Sequence, residues 1–339
     1  MSSGFPAEAE LFPEPEKMKR EAGIPAISVV VPLYNKGPYI RRTLTSVLAQ
    51  TFQDFAVLVV DDGSTDEGPE VVQSLRDPRI AYLRQNNQGP GSARNTGLAR
   101  IQSPFVAFLD ADDEWSPEFL AITHDLITRN EVAAVSMGYC LSPQNRRSTE
   151  IYSLPQGVYS CSASDSVEKM ITLWGFISPC TTLIKTEIAK KYGGYYDKNH
   201  ICHGEDGHFQ LKLLMNEKVY IYNEPLVTIH SECSDLYVPF KQDQPLPLPA
   251  YLVDPDDVIS FTPAEKENLI HRVLARLALD QAWHWAVRGQ SAQARQLLKR
   301  FPLATSFPQK YYLTRLAAGL SPLMPRVRKA YRWWKGAGF

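Results

Sequence analysis

The chain has 339 residues, 44% of them hydrophobic and 22% charged, a balance that suits a soluble globular protein with one large or two ordinary domains. Its net charge of −1 hides an asymmetry: from Thr262 onward there are 14 Lys and Arg against 3 Asp and Glu, which leaves 22 against 34 before it, so the two parts suit different partners. Five scattered cysteines without a C-x-x-C, no run of 18 apolar residues and no apolar core in the first 25 residues argue against disulfide or zinc scaffolding, a membrane span and a signal peptide, and favour reduced thiols in a cytosolic protein.

Residues 1–25, rich in Glu and Pro, read as a flexible leader. After them "ISVVVPLY" (27–34) is a β-branched run expected to form a buried strand. Ile40, Leu44, Val47 and Leu48 recur at helical spacing, and "FAVLVV" (55–60) is a second strand ending in "DDGSTD". A helix near 67–76, a weaker strand "IAYLR" (80–84), a helix over 91–101 and a strand "PFVAFL" (104–109) follow. Ser116, Pro117 and Glu118 supply a cap, a first-turn proline and a first-turn acid for a helix to 129. "VAAVSMGY" (132–139) is another strand. Residues 140–203 look irregular, as loops over a cleft often do. A helix over 205–216 and an extended "VYIYNEPLVTIH" (219–230) close this body. Alternating strands and helices predict a parallel sheet covered on both faces. A Pro-rich linker is expected over 241–260 and a basic helical region over 261–339.

The stretch "AFLDADDEW" (107–115) gathers four carboxylates at a strand end. Ligands of parallel α/β sheets bind beyond the carboxyl ends of the strands. Two ends here carry acids, Asp61-Asp62 and Asp110-Ala-Asp112. Extended residues two apart point the same way, so Asp110 and Asp112 would share a face with Asp113 turned aside. Alone they repel by about 4 kcal/mol at 4 Å and an effective dielectric of 20. A hard divalent cation reverses that sign and attracts a diphosphate. The plainer alternative is capping of the next helix, the favoured role for Asp113 and Glu114.

Four ordered motifs, "SVVVPLYN" (28–35), "LVVDDGSTD" (58–66), "NNQGPGSARNTGL" (86–98) and "FLDADDEW" (108–115), resemble family 2 glycosyltransferases of the GT-A fold over about residues 26–230. The resemblance implies an α/β, Rossmann-like domain (26–240): a mixed, mostly parallel sheet flanked by helices, followed by the C-terminal α-helical region. It implies inverting sugar transfer from a nucleotide-diphospho-sugar, taken as UDP-linked, to a saccharide or lipid-linked acceptor in surface-polysaccharide assembly. Pro32, Tyr34 and Asn35 fall where relatives hold the base and ribose. Tyr34 offers a π-face for stacking. Asp62 matches the acid that binds the base, while Asp61 reaches the ribose or caps the next helix through the "DGSTD" turn. Arg94 matches an arginine for base or diphosphate, after a loop in which Pro90 replaces an aliphatic residue. Asp110 matches a ribose- and metal-facing acid, Asp112 the direct ligand of Mn²⁺ or Mg²⁺, and His230 a third ligand or phosphate contact.

The same resemblance makes Asp206 the base and Glu205 its neighbour, at a helix N-terminus that stabilises anions. Trp174, Phe176, Tyr195 and Tyr196 fall in the acceptor region, as sugar platforms or as core. A sugar-nucleotide nucleotidyltransferase is the first rival, but "VPLYNKGPY" lacks its Gly-rich loop. A non-catalytic sugar-nucleotide-binding relative is the second, and a phosphatase would want its acids after the first strand. The end of the chain, "MPRVRKAYRWWKGAGF", has five basic residues and no acid. It suits an anionic membrane at the inner face or docking onto the acidic body, and lacks a nucleic-acid motif.

Overall fold

The structure, a computed structural model, describes residues 23–233 and 245–319. They divide into two compact units. One holds the described residues up to Tyr159 with Gly175–Cys202 and Glu217–Cys233, the other Ser160–Trp174, His203–Asn216 and the described residues beyond 244.

The first unit is built on one ten-stranded sheet. Its strands are β1 (Ile27–Leu33), β2 (Phe55–Asp61), β3 (Ile80–Arg84), β4 (Phe105–Phe108), β5 (Glu114–Trp115), β6 (Ala134–Ser142), β7 (Arg146–Arg147), β8 (Gly157–Tyr159), β9 (Thr182–Lys185) and β10 (Val219–His230). The order is β3-β2-β1-β4-β9-β6-β10-β5, with β7 on β6 and β8 on β10. The β3-β2-β1-β4 half is parallel. β1 and β2 are buried almost throughout, which is why their sequences are unbroken apolar runs rather than alternating ones.

Helices α1 (Gly37–Leu48), α2 (Gly68–Ser74), α3 (Pro90–Arg100), α4 (Phe119–Arg129) and the short α5 (Ser148–Ile151) lie in this unit. Ile40, Leu44 and Val47 bury the apolar stripe of α1, at about 1.5–3 kcal/mol for each side chain removed from water. α3 comes so close to β1 that a Cβ on Gly97 would collide with Val30. The region 140–203 is more regular than its sequence suggests. It holds α6 (Val167–Phe176), α7 (Thr186–Lys191) and β9, which lies antiparallel between β4 and β6 and makes the sheet mixed. Four residues, "TLIK", are too few to display a period. β10 runs parallel to β6 with irregular register around Pro225 and pairs its far end with β5.

The second unit is helical: α8 (Glu205–Asn216), α9 (Ala250–Val253), α10 (Pro255–Ser260), α11 (Glu267–Val287), α12 (Ser291–Arg300) and α13 (Pro308–Gly319). Leu269, Val273, Leu277, Leu297 and Leu298 are buried as their spacing predicts, but Trp283 is exposed. The linker expected over 241–260 is folded where it is described. Leu246, Ala250, Leu252 and Val258 are buried, and the Leu246 carbonyl accepts bonds from Gln281 and Trp285 of α11. Proline there sets helix starts instead of a spacer. No helix among the described residues is long and apolar enough to cross a membrane. The leader, apart from residues 23–25, and the basic segment 324–339 lie outside the described residues.

Candidate active site

β4 stops at Phe108, and the chain does not continue extended through the acids. The Asp113 N–H donates to the Asp110 carbonyl at 3.1 Å, closing a turn. A turn brings together residues three apart, so Asp113 joins Asp110 at this corner, while Asp112 stays close enough to feel the Asp110 charge. Carboxylate oxygens of Asp110 and Asp113 and the Cys180 sulfur lie within 4.8 Å of one another. Asp113 is 4% exposed and faces this cluster, so it is neither turned aside nor a solvated cap.

Basic groups answer the crowding. Arg94 Nη2 lies 2.6 Å from Asp110 Oδ1, and Lys36 Nζ 3.0 Å from Asp112 Oδ2. The middle of α1 braces the turn as well: Arg42 Nη2 donates to the Asp112 carbonyl at 2.7 Å, Thr43 to that of Asp113 at 2.8 Å, and Arg42 Nε pairs with Glu114 at 3.1 Å. Burial and then Asp110 raise the Asp112 carboxyl above its ordinary range, against the pull of Lys36. Burial, Asp110 and Asp112 raise Asp113 well above it. Burial and Asp113 push the Cys180 thiol up too, so it stays neutral and is a poor ligand for a hard cation. The oxygens of Asp110, Asp112 and Asp113 suit Mg²⁺ or Mn²⁺.

His230 reaches the same corner through its backbone, whose N–H donates to Asp113 Oδ1 at 2.9 Å. Its ring turns to two other acids. Nε2 lies 2.8 Å from Glu114 Oε1 and Nδ1 3.0 Å from Glu232 Oε1, so carboxylates hold both nitrogens.

Where the nucleotide is expected, β1 ends at Leu33, leaving Tyr34 and Asn35 exposed and Pro32 half-buried beside them. The Asn35 N–H donates to Ser64 Oγ, and its side-chain oxygen accepts the Thr65 N–H at 2.8 Å, tying this turn to the one after β2. Asp61 is fully buried and engaged by the protein itself: Oδ1 accepts Ser64 N–H, and Oδ2 accepts Tyr82 OH and pairs with Arg84. These bonds tie Asp61 to the turn after β2 and to β3. Asp62 accepts three bonds, from Gln85 Nε2 and the backbone of Gln88 and Gly89, all within 2.9 Å. Arg94 lies against the Tyr195 ring at 5.0 Å. Tyr195, Tyr196 and Phe176 are buried as core, while Trp174 is half-buried.

Glu205 and Asp206 open α8 in the second unit, the first buried and the second half-exposed. Asp206 Oδ1 accepts the Gly207 N–H at 2.7 Å. Aromatic rings press on this turn. Trp174 Nε1 donates to the Gly207 carbonyl at 3.0 Å, Tyr251 stands edge-on to Trp174 at 5.3 Å, and a Cβ on Gly207 would meet the Trp174 ring at 2.7 Å. Lys36, Arg42, Thr43, Asp113, Cys180 and Tyr251 escaped sequence reasoning. The only signal for Lys36 and Arg42 was their charge in a chain with an acidic turn elsewhere.

A family profile described as "Glycosyl transferase family 2" matches residues 28–193, which include all four motifs around this site. Over those residues the chain is similar to family 2 glycosyltransferases. It is 50% identical over 110 residues, 30% of this chain and 34% of the relative, to the succinoglycan biosynthesis protein ExoW of Rhizobium meliloti. An uncharacterized glycosyltransferase of Rickettsia typhi is 30% identical over 62% of this chain and 65% of its own. The chain thus spans between about one third and two thirds of these relatives' lengths. In fold, the chain resembles the TarS 1–349 fragment from S. aureus, solved with UDP-GlcNAc, at a TM-score of 0.66, 20% identity and 91% coverage of both chains. It also resembles the mannosyltransferase PcManGT of Pyrobaculum calidifontis, solved with GDP-Man and Mn²⁺, at a TM-score of 0.51 and 18% identity over 92% of this chain and 88% of that one. The sheet is therefore of the GT-A type.

Proposed function

We propose that this chain moves a glycosyl group from a UDP-linked sugar to a hydroxyl of a saccharide or lipid-linked saccharide, with inversion, in the assembly of a surface polysaccharide. The observation that carries the reading is the meeting of two acid-bearing strand ends on either side of β1. Asp62 follows β2 and the Asp110–Asp113 turn follows β4, at the edge where open parallel sheets take ligands. Tyr34 stacks on the base. A carboxylate has about four lone-pair positions, and Asp62, aimed by its three donors, keeps one for an N–H of the base. Asp110 meets the ribose, and Arg94 sets its guanidinium toward the diphosphate.

Asp112 and Asp110 would hold a Mn²⁺ or Mg²⁺, which when bound supplies Lewis-acid stabilisation of the leaving diphosphate. Asp206 takes the proton of the acceptor hydroxyl while its oxygen bonds to the anomeric carbon. The bond to the phosphate oxygen breaks, and the nucleoside diphosphate leaves with the electron pair. Glu205 stands beside Asp206 in the first turn of α8. The named biosynthetic role of ExoW and the nucleotide-sugars in the solved neighbours support the reading. The basic segment 324–339 would hold the enzyme against an anionic membrane surface.

A thermal-shift panel of UDP-, GDP- and dTDP-sugars with and without Mn²⁺ tests it. A UDP-sugar shift that needs the cation and is lost in Asp112→Asn is expected. Equal shifts in wild type and Asp112→Asn would refute the metal assignment.

A further inference from the structure

Lys36 precedes the first turn of α1, and its ammonium is held from two sides. Asp112 Oδ2 lies 3.0 Å away, and the Cys233 carbonyl accepts a second bond at 2.6 Å. Both members of the ion pair are largely withdrawn from water, with side-chain exposures of 15% for Lys36 and 11% for Asp112. An ion pair so sheltered is poorly screened, so it persists at ordinary salt. The lysine stem is flexible, and an ammonium is a compact point charge that can change partners without matching a fixed fork.

The arrangement places one positive charge on the carboxylate proposed to bind another. Asp112 Oδ2 cannot accept both at full strength, and two cations on one carboxylate repel each other. The guanidinium of Arg42 does not enter this competition, because it bonds the Asp112 carbonyl and Glu114 instead. Resting on the reading that Asp112 binds the divalent cation, we propose that Lys36 is the resident counter-ion of Asp112. It competes with the divalent cation for this carboxylate, yields when the cation arrives with the nucleotide, and turns its freed ammonium to the donor diphosphate. Lys36 is thus a positioning residue that makes cation binding depend on nucleotide. Without a diphosphate the ammonium rests on Asp112 and the Cys233 carbonyl. With one it exchanges one anion for another, and the cost of displacing it falls.

The test is Mn²⁺ binding to the full chain, followed by the paramagnetic signal of free Mn²⁺, with and without UDP. Lys36→Met should bind Mn²⁺ alone more tightly than wild type, on the order of tenfold, equivalent to about 1.4 kcal/mol. It should also lose much of the gain in Mn²⁺ affinity that UDP gives the wild type. Lys36→Arg, which keeps the charge, should stay near wild type for Mn²⁺ alone, and Lys36→Gln serves if Lys36→Met folds poorly. Unchanged or weaker Mn²⁺ binding in Lys36→Met and Lys36→Gln, while Asp112→Asn abolishes it, overturns this inference alone. Full Mn²⁺ binding by Asp112→Asn removes the metal assignment and the inference with it.

Discussion

Asp113 Oδ1 accepts the His230 N–H at 2.9 Å, fastening the last residue of β10 to the acidic turn that follows β4. Asp113→Ala strands that N–H in a buried site, at a cost of about 1–3 kcal/mol. Asp113→Asn keeps an acceptor and removes a carboxyl that burial and two acids disfavour as an anion, so it should cost far less. Urea unfolding of both variants checks this. Asp113→Ala as stable as wild type would show that the bond contributes nothing.

Asp62 gathers Gln85, Gln88 and Gly89 around one carboxylate. Bonds to a charged acceptor contribute about 1.5–3 kcal/mol each, and Asp62→Ala loses all three at once. UDP binding by calorimetry should weaken by at least tenfold, about 1.4 kcal/mol. Unaltered UDP affinity would remove Asp62 from the nucleotide site.

Gly207 tests the aromatic wall of α8. Gly207→Ala drives a methyl into Trp174 and toward Tyr251, an overpacking cost of about 1–3 kcal/mol. Because Asp206 precedes it, turnover should fall more than donor affinity. A parallel loss of both, or of neither, would count against a special role for this turn.

His208 gives the second unit an acid limit. Its imidazole is 1% exposed and is pushed down to about 4, first by burial and then by the Lys212 ammonium. Asp257 pulls the other way, 3.2 Å from the imidazole and 2.5 Å from Lys212. Unfolded chain takes up a proton near the ordinary value of 6.5 that the folded chain refuses until about 4. Stability is therefore lost as pH falls through that window, by up to about 3 kcal/mol at 1.36 kcal/mol per unit. His208→Gln should flatten this part of the stability profile. Superimposable profiles for the two proteins would contradict the assignment.

The parallel half of the sheet was legible because β1, β2 and β4 are buried on both faces and their sequences carry nothing else. The acids after β2 and β4 were legible for the same reason: a charge that ends an apolar run marks the strand's edge. Period-two alternation misplaced Asp113 because the chain turns between it and Asp110. β9 was hidden by its length, and α9 and α10 by prolines that start helices as readily as they break them. Lys36 was out of reach, since its partner lies 76 positions away and only the fold brings the two together.

Release of UDP from a UDP-sugar in the presence of Mn²⁺, with water or an added saccharide as acceptor, tests the account most directly when followed in wild type, Asp112→Asn and Asp206→Asn. Wild type should release UDP only with the metal, Asp112→Asn should neither hold the donor nor release UDP, and Asp206→Asn should hold the donor without releasing UDP. Release at the wild-type rate by either variant would contradict the roles given to these two carboxylates.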